Sequence, residues 1–381
     1  MSVVGSKLRF VALETGRQTA EERTLLAAAA RGDEQAFERL LEPYRAELHA
    51  HCYRMLGSAY DADDALQDAW LRAWRGLAKF EGRSSLRSWL YRIATNACLD
   101  LIAKRPKRVL PLDYGPPADP HDPPTLPVAE STWIEPYPDD ALELASGAAA
   151  PEARYEQREA VELAFVAALQ HLPPNQRAAL ILREVLGFSA KEVAAMLDTS
   201  VAAVNSALQR ARKTVAERTP ERSQQETMRA LGDEGVREVV ARYLDAWDRN
   251  DVEGVVAMLT EDASFSMPPA RYWYRGTEAL LEWMPKGPLA GWRWRHVPVV
   301  ANGQLALGFY CWHPGEEAYL AFALNVLTLR GDRISDVVAF ICRETTATDP
   351  EAYVRWPEQP IIPRKYEYFF GRFGLPERLE G

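Results

Sequence analysis

The stretch from Ser189 to Lys213 constrains the fold most, because its pattern fits two short helices separated by a tight turn. Ser189 followed by Glu192 is a capping-box signature, which predicts that a helix begins there. Ser200 can cap a second helix, in which apolar residues recur at helical spacing at Val204, Leu208, Ala211 and Val215. This pattern predicts a helix-turn-helix whose second helix enters the DNA major groove, and an αα-hairpin with a solvated polar face is the alternative. The face left for DNA comprises Val201, Ala203, Asn205, Ser206, Gln209, Arg210, Arg212 and Lys213.

The composition suits a folded protein of two or three domains, with 381 residues of which 47% are hydrophobic. The four cysteines form no CxxC pair, which favours a reducing compartment. His49, His51 and Cys52 lie together without a further ligand pair nearby, so we expect no metal and no cofactor. No apolar run approaches the length of a membrane span and the N-terminus lacks a signal-peptide core, so we predict a cytoplasmic protein without membrane contact.

Charge is distributed unevenly along the chain, whose net charge is −9. Residues 21–108 and residues 161–223 each carry a net charge of +2, whereas residues 109–160 carry −9 and residues 224–381 carry −6. The overall acidity argues against a protein that coats nucleic acid. Two mildly basic blocks separated by an acidic one fit two nucleic-acid-binding domains on a connector.

The block from Glu21 to Arg108 has helical periodicity throughout. Its segment DADDALQDAWLRAW, Asp61 to Trp74, predicts an amphipathic helix whose outer face suits a protein partner. The segment from Phe80 to Arg108 then mixes aromatic and basic residues. Single-stranded bases need flat faces for stacking and positive charge near their backbone, so this mixture favours a nucleic-acid site. Core aromatics beside a solvated basic helix end are the alternative.

Three segments, in this order, resemble the bacterial RNA polymerase sigma factors of the extracytoplasmic-function group. They are DADDALQDAWLRAW, FEGRSSLRSWLYRIATNACLDLIAKR and LPPNQRAALILREVLGFSAKEVAAMLDTSVAAVNSALQRAR, and the resemblance covers residues 21–220. It implies two all-α sigma-factor domains. The first, a helical bundle, would bind the polymerase clamp and open the −10 promoter element, and the second would bind the −35 element through the helix-turn-helix.

The resemblance also implies site residues. Contact with core RNA polymerase falls on Asp64, Asp68, Leu71, Trp74 and Arg75 at the β′ clamp, and on Arg177 and Arg183 at the β flap. Contact with the −10 element, as duplex and as single strand, falls on Arg87, Trp89, Tyr91, Arg92, Asn96, Asp100, Lys104 and Arg105. Helix packing is the alternative role of Trp89 and Asn96. Contact with the −35 element falls on Ser200, Val201, Ala203, Asn205, Ser206, Gln209, Arg210, Arg212 and Lys213.

The segment between the two domains, from Val109 to Pro151, contains ten prolines and almost no periodicity. This composition predicts an irregular tether. By the resemblance, its acidic residues would thread the basic nucleic-acid channel of the polymerase; these are Asp119, Asp122, Glu130, Glu135, Asp139 and Asp140. The run from Trp133 to Pro138 is too aromatic for a pure spacer, so we expect it to dock.

The last third of the chain predicts helices followed by a long antiparallel sheet, an α+β arrangement. Together with LTEDASFSMPP and YRG it resembles the SnoaL-like cone, many relatives of which enclose a pocket. A pocket here would be lined by Tyr243, Trp247, Asp262, Met267, Tyr272, Trp273, His296, Trp312 and Asn325, although aromatics at such spacing are more often core. Such a pocket would take a small-molecule ligand. No pair of carboxylates in the sequence indicates catalysis.

These inferences predict a multidomain protein that binds core RNA polymerase and melts promoters, without being an enzyme. We expect a flexible arm at 1–20, the first sigma domain at 21–108, a linker at 109–153, the second sigma domain at 154–223, the cone at 232–345 and an apolar tail at 346–381. The cone would act as an in-cis regulator. A stand-alone helix-turn-helix regulator and an isomerase-like enzyme with a DNA-binding appendage are the alternatives.

Overall fold

A computed structural model describes residues 20–122, 132–139, 156–344 and 355–381. The predicted N-terminal arm, apart from Ala20, the remainder of the linker and the start of the tail lie outside these residues. The chain divides into a helical unit, which ends at Lys107 and resumes after the linker as far as Pro220, and a C-terminal unit, which combines residues 108–139 with residues 221–381. In the described part of the chain, no helix is long and apolar enough to cross a membrane.

The first part of the helical unit contains five helices, in chain order α1 (Ala20–Ala29), α2 (Glu34–Leu41), α3 (Arg45–Leu56), α4 (Ala59–Leu77) and α5 (Leu86–Ile102). Gly57 ends α3 with a left-handed φ of 71°, and Ser58 then caps α4 by accepting a hydrogen bond from the Asp61 amide. The buried stripe of α4 is built largely from alanines, which allow α3 and α5 to pack closely against it; they are Ala62, Ala65, Ala69 and Ala73.

The second part of the helical unit contains α7 (Leu163–Gln170), α8 (Pro174–Leu180), a π-helical turn (Ile181–Val185), α9 (Ala190–Met196) and α10 (Val201–Ala216), preceded in the linker by α6 (Pro111–Tyr114). The predicted capping box is confirmed: the Glu192 amide donates to Ser189, and the Ser189 amide donates to Glu192 at 2.8 Å. Ser200 caps α10 as predicted, and the four apolar residues predicted for its inner face are all buried.

The described part of the linker is not an irregular tether, because it folds onto the C-terminal unit. Asn302, at the turn between two strands, accepts a hydrogen bond from the Tyr137 amide at 2.9 Å and donates its own amide to the Tyr137 carbonyl at 2.8 Å. The Asp139 side chain accepts a hydrogen bond from the Gly303 amide. The aromatic run does dock, since Trp133, Ile134 and Tyr137 are buried. Sequence periodicity could not reveal this docking, because the hydrogen-bond partners of the segment lie in a turn that is distant in the chain.

The C-terminal unit is a sheet with helices packed on one face, in the predicted α+β class. Its helices are α11 (Gln224–Asp248), which is broken at Gly232, α12 (Val252–Ala257) and α13 (Thr277–Trp283). Its strands are β1 (Leu259–Ser266), β2 (Trp273–Arg275), β3 (Trp294–Ala301), β4 (Gln304–His313), β5 (Ala318–Arg330), β6 (Arg333–Ile341) and β7 (Arg378–Glu380). Their order is β2-β1-β6-β5-β4-β3, with β7 paired to β5; β1 and β6 are parallel and the other pairs antiparallel.

The described part of the tail packs on the sheet instead of extending into solvent. Trp356 enters the main hydrophobic cluster of the C-terminal unit. The short helix α14 (Pro363–Phe369) follows, and Phe369 lies against Phe340 of β6 with ring centroids 5.7 Å apart. The Tyr310 hydroxyl donates to the Pro376 carbonyl at 2.9 Å. The tail therefore packs on the face of the sheet opposite the helices as well as on the core.

His51 of α3 makes the stability of the helical unit depend on pH. The side chain is fully buried, its Nε2 lies 2.9 Å from Thr95 Oγ1, and burial lowers its pKa to about 3, with Arg54 and Arg87 adding to the effect. Because the unfolded chain takes up a proton near the ordinary pKa of about 6.5, stability is present above that pH and lost as pH falls towards 3. We expect a loss of about 2 kcal/mol between pH 7 and pH 5 from this residue.

His51→Gln should flatten that dependence, because glutamine can still reach Thr95 but does not titrate. Hydrogen exchange of α3 peptides at the two pH values, corrected for intrinsic exchange rates, measures the change. His121→Gln is the matched control, since His121 is 66% exposed and belongs to the other unit. Equal pH slopes for the wild type and His51→Gln would contradict the assignment.

Candidate nucleic-acid and protein interfaces

Helix α10 presents a continuous exposed face at the surface of the helical unit. Asp198, with a left-handed φ of 51°, turns the chain between α9 and α10, and Thr199 closes the turn by donating its amide to the Ala194 carbonyl. Every residue predicted for the DNA-facing side, from Ser200 to Lys213, is exposed. Arg212 is held by Glu184 at 2.7 Å, which orients one cation beside the neutral base-facing side chains. This geometry suits insertion into a major groove, with cations towards the phosphates.

Helix α4 exposes a second surface, of mixed chemistry. Leu71 is 51% exposed and contributes apolar area to this surface. Arg75 beside it is exposed, and Trp74 is partly covered by Phe37, with ring centroids 4.9 Å apart. Asp68 is ion-paired with Arg72 at 2.6 Å. An apolar centre rimmed by charges is the composition of a protein-binding surface.

A third surface runs along α5, where Arg92 and Asn96 are exposed four residues apart and so share one face, and Lys104 is exposed in the turn just after the helix. Asp100 on the same face is held by Arg72 of α4 at 2.7 Å. Arg105 is ion-paired with Asp61 and, at 2.9 Å, with Asp64. Residues predicted for polymerase and for DNA are thus joined by ion pairs, which the sequence did not indicate because the partners lie on different helices.

Arg177 of α8 connects the two parts of the helical unit. Its guanidinium, 4% exposed, donates to the Met55 carbonyl at the end of α3. It also donates to Gln170 Oε1 at 2.5 Å, to the Gln170 carbonyl at 3.1 Å and to the Leu172 carbonyl at 3.3 Å. Burial lowers its pKa to about 10, so the side chain remains charged at neutral pH. The carboxyl end of α3 carries partial negative charge, which stabilises a cation placed there.

A second contact between the two parts covers residues predicted to bind the −10 element. Tyr91 is fully buried, with its ring 5.2 Å from Phe188, and burial raises its pKa well above the usual range. Arg87 lies over both rings, at 4.8 and 4.7 Å from their centroids, and is ion-paired with Glu47 at 3.2 Å. In this conformation neither Tyr91 nor Arg87 can reach a nucleic acid.

Arg177 and Arg183, both predicted to contact the β flap, differ in their exposure. Arg183 is exposed and open to a protein partner, whereas Arg177 is committed to the contact with α3. Spacing within one helix could not distinguish them, because the burial of Arg177 comes from α3, more than 100 residues earlier in the chain. The arginine inside the apolar run of LPPNQRAALIL is the sequence signal that could have indicated burial.

The residues predicted to line a pocket of the cone do not form one lining. Tyr243, Trp247, Met267 and Tyr272 belong to the packed aromatic core, and Asn325 and the His296 side chain are buried in the same domain. The prediction for Asp262 is wrong, because its side chain is 50% exposed and ion-paired with Arg330 at 2.8 Å. Trp312 lies against Arg293 and Tyr319, and Trp273 donates to the Gly115 carbonyl of the linker. Both therefore serve packing.

The sequence missed one acid–imidazole pair, Asp248 with His296, whose Oδ1 and Nδ1 are 3.2 Å apart. Burial lowers the pKa of His296 to about 3, so the imidazole is neutral at physiological pH. Its ring packs on Phe309 with centroids 4.3 Å apart, and among the described residues its Nε2 finds no hydrogen-bond partner. Forty-eight positions separate the two residues, and only the packing of α11 on β3 brings them together.

Within the described ranges, no group of three or more His, Cys, Asp or Glu side chains is arranged so that it could hold a metal ion. All four cysteines are buried and free. Burial raises the pKa of the Cys311 and Cys342 thiols to about 12, which keeps them protonated and unreactive.

Comparison with known proteins identifies the same three regions. The family descriptions that match are Sigma-70 region 2 at residues 40–108, Sigma-70 region 4 at residues 162–215 and a SnoaL-like domain at residues 240–337. The ECF RNA polymerase sigma factor SigG of Mycobacterium tuberculosis is 40% identical over 372 residues, covering 97% of this chain and 89% of the relative. SigM of the same organism is 33% identical over 53% of this chain and 86% of its own length.

Among solved structures, the extracytoplasmic-function sigma factor SigJ of Mycobacterium tuberculosis matches with a TM-score of 0.51 and 22% identity. The match covers 88% of this chain and 98% of that chain. At this level of identity the likeness concerns the fold alone, and it extends over both sigma regions and the C-terminal domain.

Proposed function

Because the chain belongs to the extracytoplasmic-function family of RNA polymerase sigma factors, we propose that its three exposed helical surfaces divide the work of transcription initiation. As a sigma factor it binds core RNA polymerase and promoter DNA, and it is not itself an enzyme because the polymerase supplies the chemistry. The observation that carries the division of work is that α4, α5 and α10 each expose a distinct face on one helical unit.

The exposed face of α4 binds the β′ clamp of the polymerase. Leu71 supplies its apolar centre, and Asp68, Trp74 and Arg75 supply its rim. Arg183, exposed in the π-helical turn before the helix-turn-helix, binds the β flap. Arg177 joins that contact only after it leaves the α3 carboxyl end.

The two DNA-binding surfaces have different chemistry, as their targets require. On α5 and in the turn that follows it, Arg92 and Lys104 neutralise phosphates of the opened −10 strand, and Asn96 between them in sequence contacts a base or sugar. On α10, Asn205 and Gln209 can each make paired hydrogen bonds to an adenine edge of the −35 duplex. Such a recognition helix binds weakly alone, and the polymerase supplies the remaining affinity.

The conformation described above is a closed form that cannot occupy both promoter elements. Elements centred roughly 25 base pairs apart lie about 85 Å apart along B-DNA. Here the two DNA-binding parts touch directly, through Arg177 and the α3 carboxyl end and through Tyr91 and Phe188. Binding of core polymerase favours the separated form, because the α5 surface and the helix-turn-helix can then be occupied together.

The C-terminal unit regulates the sigma domains in cis by holding the linker. Asn302 and Asp139 join the linker to the β3–β4 turn through backbone hydrogen bonds, and Trp133 and Tyr137 are buried in the process. A docked linker cannot at the same time follow the nucleic-acid channel of the polymerase. Release of the linker is therefore a step of initiation that the C-terminal unit controls.

Replacement of Arg92 and Lys104 by alanine should reduce open-promoter formation about tenfold, because two phosphate contacts are lost. A genomic promoter library transcribed by purified core polymerase identifies the promoter, and permanganate reactivity of its −10 bases then measures opening. Arg31→Ala, which removes an exposed cation from the same unit, is the control. Equal opening by the double variant and the control would exclude the α5 surface as the −10 site.

A reversible cross-link across the closed form should block initiation. Ser88 Oγ and Glu192 Oε1 are 3.4 Å apart across the contact, so the pair Ser88→Cys with Glu192→Cys can be bridged by a short bismethanethiosulfonate reagent, and the native thiols are buried. We expect promoter-dependent transcription to disappear on cross-linking and to return with dithiothreitol. Glu192→Cys alone controls for loss of the α9 cap. Undiminished transcription by fully cross-linked protein would refute the need for opening.

Removal of the C-terminal unit should raise transcription when core polymerase is limiting. The chain ending at Ser223 lacks the surface that holds the linker, since α11 begins at Gln224. Asn302→Gly is the matched variant, because glycine keeps the left-handed φ of 56° but removes the acceptor for the Tyr137 amide. We expect both changes to act in the same direction. If output and core affinity are unchanged in both, the C-terminal unit is not a regulator.

A further inference from the structure

Glu184 is an acidic residue that contacts the DNA-facing helix α10. Its Oε1 accepts a hydrogen bond from Arg212 Nη2 at 2.7 Å, and the two side chains form an ion pair. Arg212 is one of three cations on the exposed face of α10, with Arg210 and Lys213. A carboxylate at this place offsets part of the positive charge that attracts phosphates.

The π-helical turn between α8 and α9 directs Glu184 towards α10. In this turn the Leu186 amide donates to the Ile181 carbonyl at 3.0 Å, five positions earlier, as is typical of π-helical geometry. Arg183 is exposed, whereas the side chain of its neighbour Glu184 is only 12% exposed. The carboxylate therefore faces Arg212 instead of solvent.

Burial makes this ion pair firmer than the other pair on α10. Lys213 and Glu217 are 3.9 Å apart, and their side chains are 79% and 62% exposed. Water and salt weaken such an exposed pair, whereas a carboxylate that is largely buried needs a cation beside it. Arg212 is thus held by Glu184, while Lys213 can turn towards a phosphate.

Arg212 lies beside the base-directed side chains of α10. It follows Asn205 by seven positions, which is about two turns, so the two residues share one side of the helix. A released guanidinium would reach the DNA backbone next to the groove that Asn205 and Gln209 enter. Contacts with phosphates carry no sequence information, so this contact would strengthen binding to every sequence.

We propose that Glu184 restrains sequence-independent DNA binding by competing with phosphate for Arg212. This role rests on the proposed contact of α10 with promoter DNA. One phosphate contact strengthens binding about eightfold at about 0.1 M salt, whatever the sequence. While the ion pair persists, the affinity of α10 for DNA depends more on base contacts and on the polymerase, which favours promoters over other DNA.

Glu184→Gln tests the restraint, because glutamine keeps the size of the side chain and an acceptor for Arg212 but removes the charge. Fluorescence anisotropy of a short duplex of random sequence, titrated with full-length protein at several salt concentrations, measures affinity and its salt dependence. We expect the variant to bind about eightfold more tightly at about 0.1 M salt, with a log–log salt slope steeper by about 0.9. Weaker binding would show that Glu184 orients Arg212 for DNA, which overturns the proposal.

Glu217→Gln is the matched control, since it also removes one carboxylate that is paired with a cation of α10. Its effect should stay below about twofold, because the exposed pair is already loose. Glu184→Gln combined with Arg212→Ala should lose the gain in both affinity and slope. Equal effects of the two glutamine variants, or a gain that persists without Arg212, would attribute the change to net charge and contradict the restraint.

Arg210→Ala separates this proposal from the assignment of α10 to DNA. It removes an exposed cation that Glu184 does not hold, and it should weaken duplex binding about eightfold. If Arg210→Ala weakens binding while the two glutamine variants behave alike, the restraint alone is refuted. If Arg210→Ala and both glutamine variants leave duplex binding unchanged, the DNA contact of α10 is refuted and the restraint with it.

Discussion

The buried guanidinium of Arg177 is the interaction on which the closed helical unit depends. It satisfies carbonyl oxygens from α3 and α7 at once, and no neutral side chain could supply as many donors in a fixed plane. A buried cation that loses these partners must find water or another anion. The contact is therefore stable while intact and costly to break unless a new partner takes over the charge.

The C-terminal unit uses a different device, since it holds an extended segment by backbone hydrogen bonds and buried rings. Asn302 presents its side-chain oxygen to the Tyr137 amide because a left-handed residue at the β3–β4 turn points it there. The same attachment buries Trp133. Linker docking thus depends on one short segment, residues 132–139.

Local sequence patterns predicted most of what depends on local physics. The capping box at Ser189, the cap at Ser200 and the apolar spacing of α10 are confirmed, because each acts within a few residues. The α+β class of the last third is also confirmed, because strand alternation and turn residues are local signals. Local patterns could not predict the burial of side chains that is caused by residues distant in the chain. Arg177 and Tyr91 carry polar atoms that would suit a surface, and only their distant neighbours Met55 and Phe188 cover them.

The sequence by itself determined the helix periods, the caps and the order of the motifs that make the chain resemble a sigma factor with a cone-like C-terminal domain, because these features are written in contiguous residues. Tertiary structure decided which of those residues are available. It exposed Leu71 and Arg183, buried Tyr91 and Arg177, paired Asp262 with Arg330 on the surface of the C-terminal unit, and folded an apparent tether onto a distant turn. The physical reason is that burial and charge pairing depend on groups far apart in the chain, and their positions are set only when the elements pack.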